Sequence, residues 1–268
     1  SSDHMIEKAY RWDLEKAIQL SVEATAFAKE KGLYTVFFPI DMSRADINWA
    51  MKLIKRVADE GHMDALAIVD TFGGLNPNAI PYLIRTVKSY LDKPVEVHFH
   101  DDFGLGSANT IMALAAGADV AHTTISAIGE RAGNTAYEDV ALSLLTMYDV
   151  DLGLKYDKIY ELSKQMRAFS GMPVRPNRGI VGDDIMDIES GIITGWYQNV
   201  KATDPLELTP YLPELTGHPD NRILLGKGSG LPTVEHYLEK LGMEIPEKSK
   251  CMEILDHVKS LAIQHHGL

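Results

Sequence analysis

The most constraining feature of this sequence is a regular alternation of short apolar segments with longer segments of helical periodicity. The apolar segments predict four strands, at residues 34–38, 65–69, 94–100 and 119–126. The amphipathic segments predict helices at residues 13–31, 44–61, 78–91, 107–116 and 136–147. Because strands that are apolar on both faces must be covered on both sides, the pattern is typical of a parallel sheet built from βα units.

Two architectures share this alternation, and the strand ends separate them. A dinucleotide-binding fold would place G-x-G-x-x-G directly after a strand, and no predicted strand is followed by that motif. Polar residues instead follow the strands, at Asp41, Asp70-Thr71 and His98-x-His100. Barrel active sites are assembled at these ends. We therefore expect an α/β fold of the (β/α)8 TIM-barrel type, with four of the eight strands visible in this chain.

The His98-Phe99-His100 triplet gives the sharpest chemical signal. Side chains two residues apart on a strand share a face, which places the two imidazoles about 7 Å apart at Cα. That spacing allows both rings to reach one divalent cation. The pair ends an otherwise apolar strand and precedes Asp101-Asp102. We predict a metal site; the alternative is two histidines that line a barrel mouth without a metal.

A glycine-rich loop, residues 129–134 (G-E-R-A-G-N), follows the fourth predicted strand. The amide oxygen of Asn134 suits a hard cation, but Asn134 could equally cap the helix that follows. Asp41 allows two interpretations as well. It could orient substrate or a metal-bound water, or it could cap the helix predicted at 44–61.

Residues 98–138 closely resemble the isopropylmalate, homocitrate and citramalate synthases, a family of pyruvate carboxyltransferase type that also contains the hydroxymethylglutaryl-CoA lyases. The resemblance extends more weakly from Ser1 to about Ile193. It implies a divalent-metal (β/α)8 enzyme whose ion is Mg²⁺, Mn²⁺ or Zn²⁺. The site residues that we predict are His98, His100 and Asn134 for the metal, Thr71 and Glu189 for the substrate, and Asp41, Glu130 and Arg131 for catalysis.

Several departures from the family pattern matter. Its first strand carries an Asp-Arg-Glu or Arg-Asp-Gly motif that supplies a further metal ligand, and nothing here matches that motif. The resemblance begins after the family's fourth strand, so we expect the N-terminal part of the barrel to be absent from this chain or supplied by a partner. Ile193 stands where the synthases carry a histidine. The lyases carry a cysteine in the loop that corresponds to residues 129–134, and this loop has none.

The resemblance implies carbon–carbon bond formation between an acyl-CoA and a 2-oxo acid. A metal-dependent lyase or aldolase that cleaves a 3-hydroxy acid or its CoA ester is the alternative. The absent first strand and Ile193 motivate a third possibility, a catalytically silent barrel subunit.

Composition excludes other function classes. The 38 acidic and 26 basic side chains give a net charge of −12, which argues against nucleic-acid and anionic-membrane binding. Cys251 is the single cysteine, so no internal disulfide can form and a reducing cytoplasm is expected. No apolar run reaches the roughly 18 residues of a membrane helix. The first residues also lack the plan of a signal peptide.

The proline-rich C-terminal region predicts a second, smaller domain. We place a barrel domain at residues 1–170 and a helical, loop-rich subdomain at 171–268. The subdomain carries more apolar surface than it can bury, which predicts a homodimer. In the resembling family this segment reaches over the neighbouring barrel, so we expect Glu189–Tyr197 to help close the partner's site. Because the chain ends at Leu268, we also expect no end-product inhibition through a further C-terminal domain.

Overall fold

The computed structural model describes residues 2–265, which form two compact units. The first unit ends at Gly153 and the second begins at Leu154. Within the described residues, no helix is both long enough and apolar enough to cross a membrane.

A four-stranded parallel sheet forms the centre of the first unit. Its strands are β1 (Val36–Phe37), β2 (Ala65–Asp70), β3 (Val95–Phe99) and β4 (Val120–Ala121), in the order β1-β2-β3-β4. Every residue of β2 is buried, as its unbroken apolar sequence predicts. Val69 pairs with His98 in the β2–β3 register, so the ends of these two strands lie side by side. The predicted parallel βα arrangement is confirmed.

Five α-helices accompany the sheet: α1 (Leu14–Glu30), α2 (Ile47–Glu60), α3 (Ile80–Tyr90), α4 (Gly106–Ala115) and α5 (Tyr137–Tyr148). Aspartates cap the N-termini of α1 and α2: Asp13 accepts the Lys16 N–H at 2.8 Å, and Asp46 accepts the Trp49 N–H at 3.0 Å. The core is formed by side chains of α2, α3 and the two central strands that exclude water completely: Ile54, Val57, Ile84, Val87, Ile68 and Val97.

The two outer strands are shorter than the sequence predicts. Strand β1 keeps two residues of 34–38, and β4 keeps two of 119–126. Each lies at an edge of the described sheet and has one pairing neighbour, which shortens the ladder. After β4 the backbone turns away, since Ser126 and Ala127 both adopt positive φ angles, of 56° and 58°. The His122 N–H still donates to the Val97 carbonyl at 2.9 Å, so one hydrogen bond to β3 continues beyond the end of β4.

The second unit is mostly helical, as predicted. It contains α6 (Ile159–Ser170), α7 (Gly191–Val200), α8 (Pro213–Thr216), α9 (Leu231–Lys240) and α10 (Lys248–His265). Two short parallel strands, β5 (Asp187–Ile188) and β6 (Arg222–Ile223), pair within it. One-turn helices complete the described chain, at Met5–Tyr10, Met42–Arg44, Ile125–Ala127, Tyr156–Lys158 and Pro205–Glu207.

Helix α6 belongs to the second unit, whereas the sequence pattern placed the boundary after this helix, at residue 170. Its Tyr160 ring stacks on His218, with 3.8 Å between ring centroids, and the Tyr160 hydroxyl donates to Asp183 at 2.9 Å. Arg167 binds the same carboxylate at 2.9 and 3.0 Å. These polar and aromatic contacts are invisible to a periodicity argument, which counts only apolar spacing. The compact units therefore divide before α6.

Candidate functional site

Strand β3 carries its histidines toward one face at the carboxyl end of the sheet. Glu96, His98 and His100 alternate along the chain, so the pleat turns them to the same side. The rings of His98 and His100 lie 5.4 Å apart between centroids, at an interplanar angle of 74°. The structure thus brings the predicted pair together.

Backbone hydrogen bonds fix the glycine-rich loop to the end of β3. Asn134 forms an antiparallel bridge with His100. On either side of this bridge, the Asp101 N–H donates to the Gly133 carbonyl and the Thr135 N–H donates to the Phe99 carbonyl, both at 3.0 Å. The loop therefore delivers Asn134 opposite His100, which the sequence predicted only as a possibility.

Two glycines make this loop conformation possible. Gly133 has a φ angle of 94°, and a Cβ at this position would lie 1.8 Å from the Ala127 carbonyl oxygen. A Cβ on Gly129 would lie 2.4 Å from the Asn134 side-chain nitrogen. Both contacts are far below van der Waals distance. A larger residue at 129 would displace the Asn134 side chain, and one at 133 would displace the Ala127 backbone.

The donor atoms at this place fit a divalent cation. The Nδ1 of His100 and the Oδ1 of Asn134 are both buried and have no hydrogen-bond partner among the described residues. Buried polar atoms in folded proteins are nearly always paired, so two such atoms on residues joined by one backbone bridge are candidate ligand atoms. Burial, and then the neighbouring His100 and His122, lower the pKa of His98 to about 4. His98 is therefore neutral at pH 7, the state in which imidazole binds metals.

The donor set is small. Within residues 2–265 no three His, Cys, Asp or Glu side chains cluster closely enough to hold an ion. Two imidazoles and one amide oxygen form a partial set with the mixed nitrogen and oxygen chemistry that Zn²⁺ and Mn²⁺ accept.

A histidine–carboxylate pair, His122 with Glu96, adjoins the first pair and was missed by the sequence analysis. The His122 Nε2 lies 2.7 Å from the Glu96 Oε2, and Glu96 is buried. The His122 ring stacks on Phe38 at 5.3 Å between centroids and meets His98 edge-on at 5.6 Å. The alternation Glu96-x-His98-x-His100 could have shown that Glu96 shares a strand face with the histidines. No sequence pattern indicates that Glu96 contacts His122.

Arg131 lies across the ends of two strands. It donates twice to the Asp102 carboxylate, at 2.7 and 2.8 Å, and also to the Thr71 carbonyl. The aromatic ring of Phe72 lies between two guanidinium groups, 4.1 Å from that of Arg44 and 5.2 Å from that of Arg131. The guanidinium of Arg131 holds the pKa of Asp102 below its usual range. Arg131 therefore connects the glycine-rich loop to Thr71.

The Asp41 carboxylate is fully buried and already engaged. It accepts the Ser2 hydroxyl at 2.6 Å and two Arg44 N–H groups at 2.7 and 2.8 Å. Its backbone N–H donates to the Thr71 hydroxyl oxygen at 2.7 Å. The structure brings Asp41 and Thr71 together, but the contacts of Asp41 are those of a structural anchor, and its catalytic role stays a prediction.

Asp70 shows the same saturation. It is buried at the end of β2 and accepts the Ser43 hydroxyl at 2.6 Å and the N–H groups of Gly74 and Leu75 at 3.1 and 3.0 Å. A carboxylate with three donors closes the turn after the strand.

The remaining predicted residues lie apart from these contacts. The Glu130 side chain is exposed on the loop. Glu189 belongs to the second unit, where its Oε1 accepts the Gly228 N–H at 2.8 Å, and a Cβ on Gly226 would lie 2.5 Å from the same oxygen. Ile193 lines a cavity of about 480 Å³ in that unit. The roles predicted for Glu130 and Glu189 stay predictions.

Comparison with known proteins gives the family. The HMGL-like family pattern matches residues 1–166, which include the whole strand-end cluster described above. The chain belongs to the HMGL-like family. Two curated relatives of this HMGL-like chain are named synthases. The 2-isopropylmalate synthase of Methanocaldococcus jannaschii is 36% identical over 250 residues, covering 92% of this chain and 47% of its own length.

The homocitrate synthase of Methanothermobacter thermautotrophicus is 34% identical over 259 residues, covering 97% of this chain and 64% of its own length. The HMGL-like chain thus spans about half to two thirds of the length of these relatives.

A solved structure confirms the fold class. The HMG-CoA lyase of Bacillus subtilis aligns with a TM-score of 0.58 at 21% identity, over 65% of this chain and 62% of its own. The predicted TIM-barrel-type α/β fold is therefore confirmed for this HMGL-like chain.

Proposed function

We propose that this protein catalyses divalent-metal-dependent carbon–carbon bond formation between an acyl-CoA and a small 2-oxo acid. One observation carries the proposal: His100 Nδ1 and Asn134 Oδ1 are buried without a partner among the described residues, and a backbone bridge joins these two residues. The family membership and the synthases among the relatives support the reaction class.

His98, His100 and Asn134 would hold the ion. A divalent cation in this place supplies Lewis acidity toward the ketone oxygen of a 2-oxo acid. The protein keeps His98 neutral by burial, so its lone pair remains available. The absence of a Cβ at Gly129 leaves room for the Asn134 side chain beside the strand.

The substrate carboxylate would meet Thr71. The Thr71 hydroxyl oxygen already accepts the Asp41 N–H, and its own hydrogen is not donated to any described residue. That hydrogen can be donated to a carboxylate oxygen. Arg131, held by Asp102 beside the Thr71 carbonyl, adds positive charge at the same strand ends. A small anion bound by Thr71 and Arg131 would lie at the strand ends that also carry the histidine pair.

The decisive experiment measures CoA release. The protein is incubated with acetyl-CoA, a panel of 2-oxo acids and Mg²⁺, Mn²⁺ or Zn²⁺, and free thiol is detected with a colorimetric reagent. We expect release with at least one acid, abolished by chelation and by His98→Ala or His100→Ala. His257→Ala, on the exposed face of α10, is the matched control and should keep full activity.

Two outcomes would contradict the proposal. No thiol release with any acid, together with cleavage of a 3-hydroxyacyl-CoA, would favour the lyase or aldolase direction. Failure of all three ions to bind or to change thermal stability would favour a catalytically silent subunit.

The oligomeric state and compartment belong to the same proposal. We propose a cytoplasmic homodimer, in which the apolar side chains exposed on α7, Ile192 and Trp196, form part of the interface.

A further inference from the structure

The second unit contains a cavity whose chemistry differs from that of the predicted site. It has a volume of about 540 Å³ and opens between α7, β6 and α9. Its polar lining comes from eight side chains: Tyr197, Lys201, Asp220, Asn221, Arg222, His236, Tyr237 and Lys240. None of them has a role in the proposed function, although binding of coenzyme A by this cavity would rest on that function.

The positive charges of this cavity are only partly neutralised within the protein. The Arg222 guanidinium donates two hydrogen bonds, each of 2.7 Å, to the Asp187 carboxylate. Lys201 and Lys240 form no ion pair with any residue that the structure describes, and the Lys240 ammonium lies 5.5 Å from the centre of the Tyr237 ring. Two ammonium groups beside one cavity, in a chain with a net charge of −12, create a local field that attracts anions.

His236 adds a hydrogen-bond donor to the two lysines. Its Nδ1 lies 2.7 Å from the Gln198 side-chain nitrogen, which can only donate, so Nδ1 is the acceptor. The neutral ring then carries its proton on Nε2, and Nε2 has no partner among the described residues. Burial, followed by the charges of Lys201 and Lys240, lowers the pKa of His236. The lysines therefore act electrostatically on the same ring that faces the cavity.

Asp220 limits what this cavity can bind. Its charge acts on Tyr197, whose pKa is raised by burial first and by Asp220 second. Because Coulombic attraction scales with charge, a dianion gains more than a monoanionic carboxylate from two ammonium groups. A dianion with three acceptor oxygens matches two ammonium groups and one imidazole N–H.

Size then favours an esterified group. A volume of about 540 Å³ lies in the range of small-molecule sites, roughly 300 to 1,000 Å³, and far exceeds that of a free anion. We propose that this cavity binds the phosphate monoester of a small molecule, with Lys201, Lys240 and His236 Nε2 as the phosphate donors.

Two sources could supply that group: the 3′-phosphate of coenzyme A, or a free phosphate ester such as a nucleoside monophosphate. Isothermal titration calorimetry of the protein with coenzyme A, dephospho-coenzyme A, AMP and inorganic phosphate separates them. Lys201→Gln and Lys240→Gln should each weaken phosphate-ester binding by about tenfold. Lys248→Gln, an exposed lysine in the same unit, is the matched control and should bind as the wild type does.

The lysine variants assign the source. If coenzyme A binds more tightly than dephospho-coenzyme A and the double variant removes that difference, the cavity holds the coenzyme's 3′-phosphate. If the two coenzymes bind equally and AMP binding depends on the lysines, the cavity holds a free ester. Either result supports the site.

A second measurement does not depend on the variants. Addition of AMP to the wild-type protein should shift the His236 imidazole resonance, and the shift should weaken as ionic strength rises. If no phosphate compound binds at millimolar concentration, or if the lysine variants bind like wild type, the proposal is wrong. That result would leave the metal titration at His98 and His100 unaffected, so the two proposals fail separately.

Discussion

Two groups of polar side chains at the strand ends of the first unit differ in how many hydrogen bonds their buried atoms make. At the ends of β1 and β2, Asp41 and Asp70 are buried and accept hydrogen bonds from every side. At the end of β3, His100 and Asn134 keep one buried atom each without a partner. Leaving a buried polar atom unpaired costs about 1–3 kcal/mol, so a fold tolerates it where something other than protein completes the bonds.

The comparison teaches how to separate two classes of strand-end polar residue. Carboxylates that accept several hydrogen bonds stabilise the turns after the strands, whereas the unpartnered atoms of His100 and Asn134 remain available to a ligand. Residue type alone does not separate them, because both classes follow a strand directly.

The largest effect should come from Asn134→Leu. Leucine has a similar size and lacks the amide oxygen, so divalent-metal affinity should fall about 100-fold or more. Stability of the metal-free protein should stay within about 1 kcal/mol of wild type or rise, because an orphaned oxygen is removed. Metal titration and urea unfolding measure the two quantities.

The exposed Asn48→Leu on α2 serves as the control for this variant and should alter neither quantity. A large loss of stability with unchanged metal affinity would show that Asn134 is a structural residue like Asp41. The proposed contrast between the two groups would then be wrong.

Asp41→Asn should behave in the reverse way. It weakens the bonds to Arg44 and Ser2 and should lower the free energy of unfolding by about 2 kcal/mol, with metal affinity nearly unchanged. Asp59→Asn, exposed on α2, should change neither. If Asp41→Asn instead abolishes turnover while the protein keeps its stability, the catalytic role predicted from the sequence gains support and the anchor role is insufficient.

The free energy of unfolding should depend on pH because the folded protein keeps His98 neutral. Its pKa of about 4 in the folded protein lies below the ordinary 6.5, so the unfolded chain binds the proton first as the pH falls. The free energy of unfolding of the metal-free protein should therefore decrease between about pH 6.5 and pH 4. Burial lowers the pKa of His218 as well and adds to the same slope.

His98→Gln should flatten this slope in part, and His257→Gln should leave it unchanged. Denaturant titrations at several pH values measure it. An identical slope in His98→Gln and wild type would show that His98 is not held neutral by the fold.

The smallest effect on the fold is expected from Trp196→Glu. This variant tests whether exposed apolar surface, like an unpartnered polar atom, marks a place where a partner binds. Trp196 is 53% exposed on α7, so the charge should leave the monomer folded and disrupt the proposed dimer. Light scattering at micromolar concentration measures the mass. Phe169→Glu, on the even more exposed Phe169 of α6, is the control and should remain dimeric. A wild-type protein that is monomeric would rule out the homodimer.

Three features can be predicted without the structure: the parallel βα order, the strand that carries the histidines and the helical character of the second unit. Each depends on a short repeat: apolar runs that must be covered on both faces, or side chains two apart on one strand face. The pairing of His98 with His100 follows from that spacing alone.

Only the tertiary structure decided what each polar side chain touches. His122 reaches Glu96 from the next strand, and Asn134 meets His100 through a loop whose glycines allow close backbone approach. Asp41 and Asn134 carry equally suitable oxygens in the sequence, yet one is surrounded by donors and the other is left open. The difference depends on residues far apart along the chain, such as Ser2 and Asp41, and no local spacing records which donors the fold will bring to an oxygen.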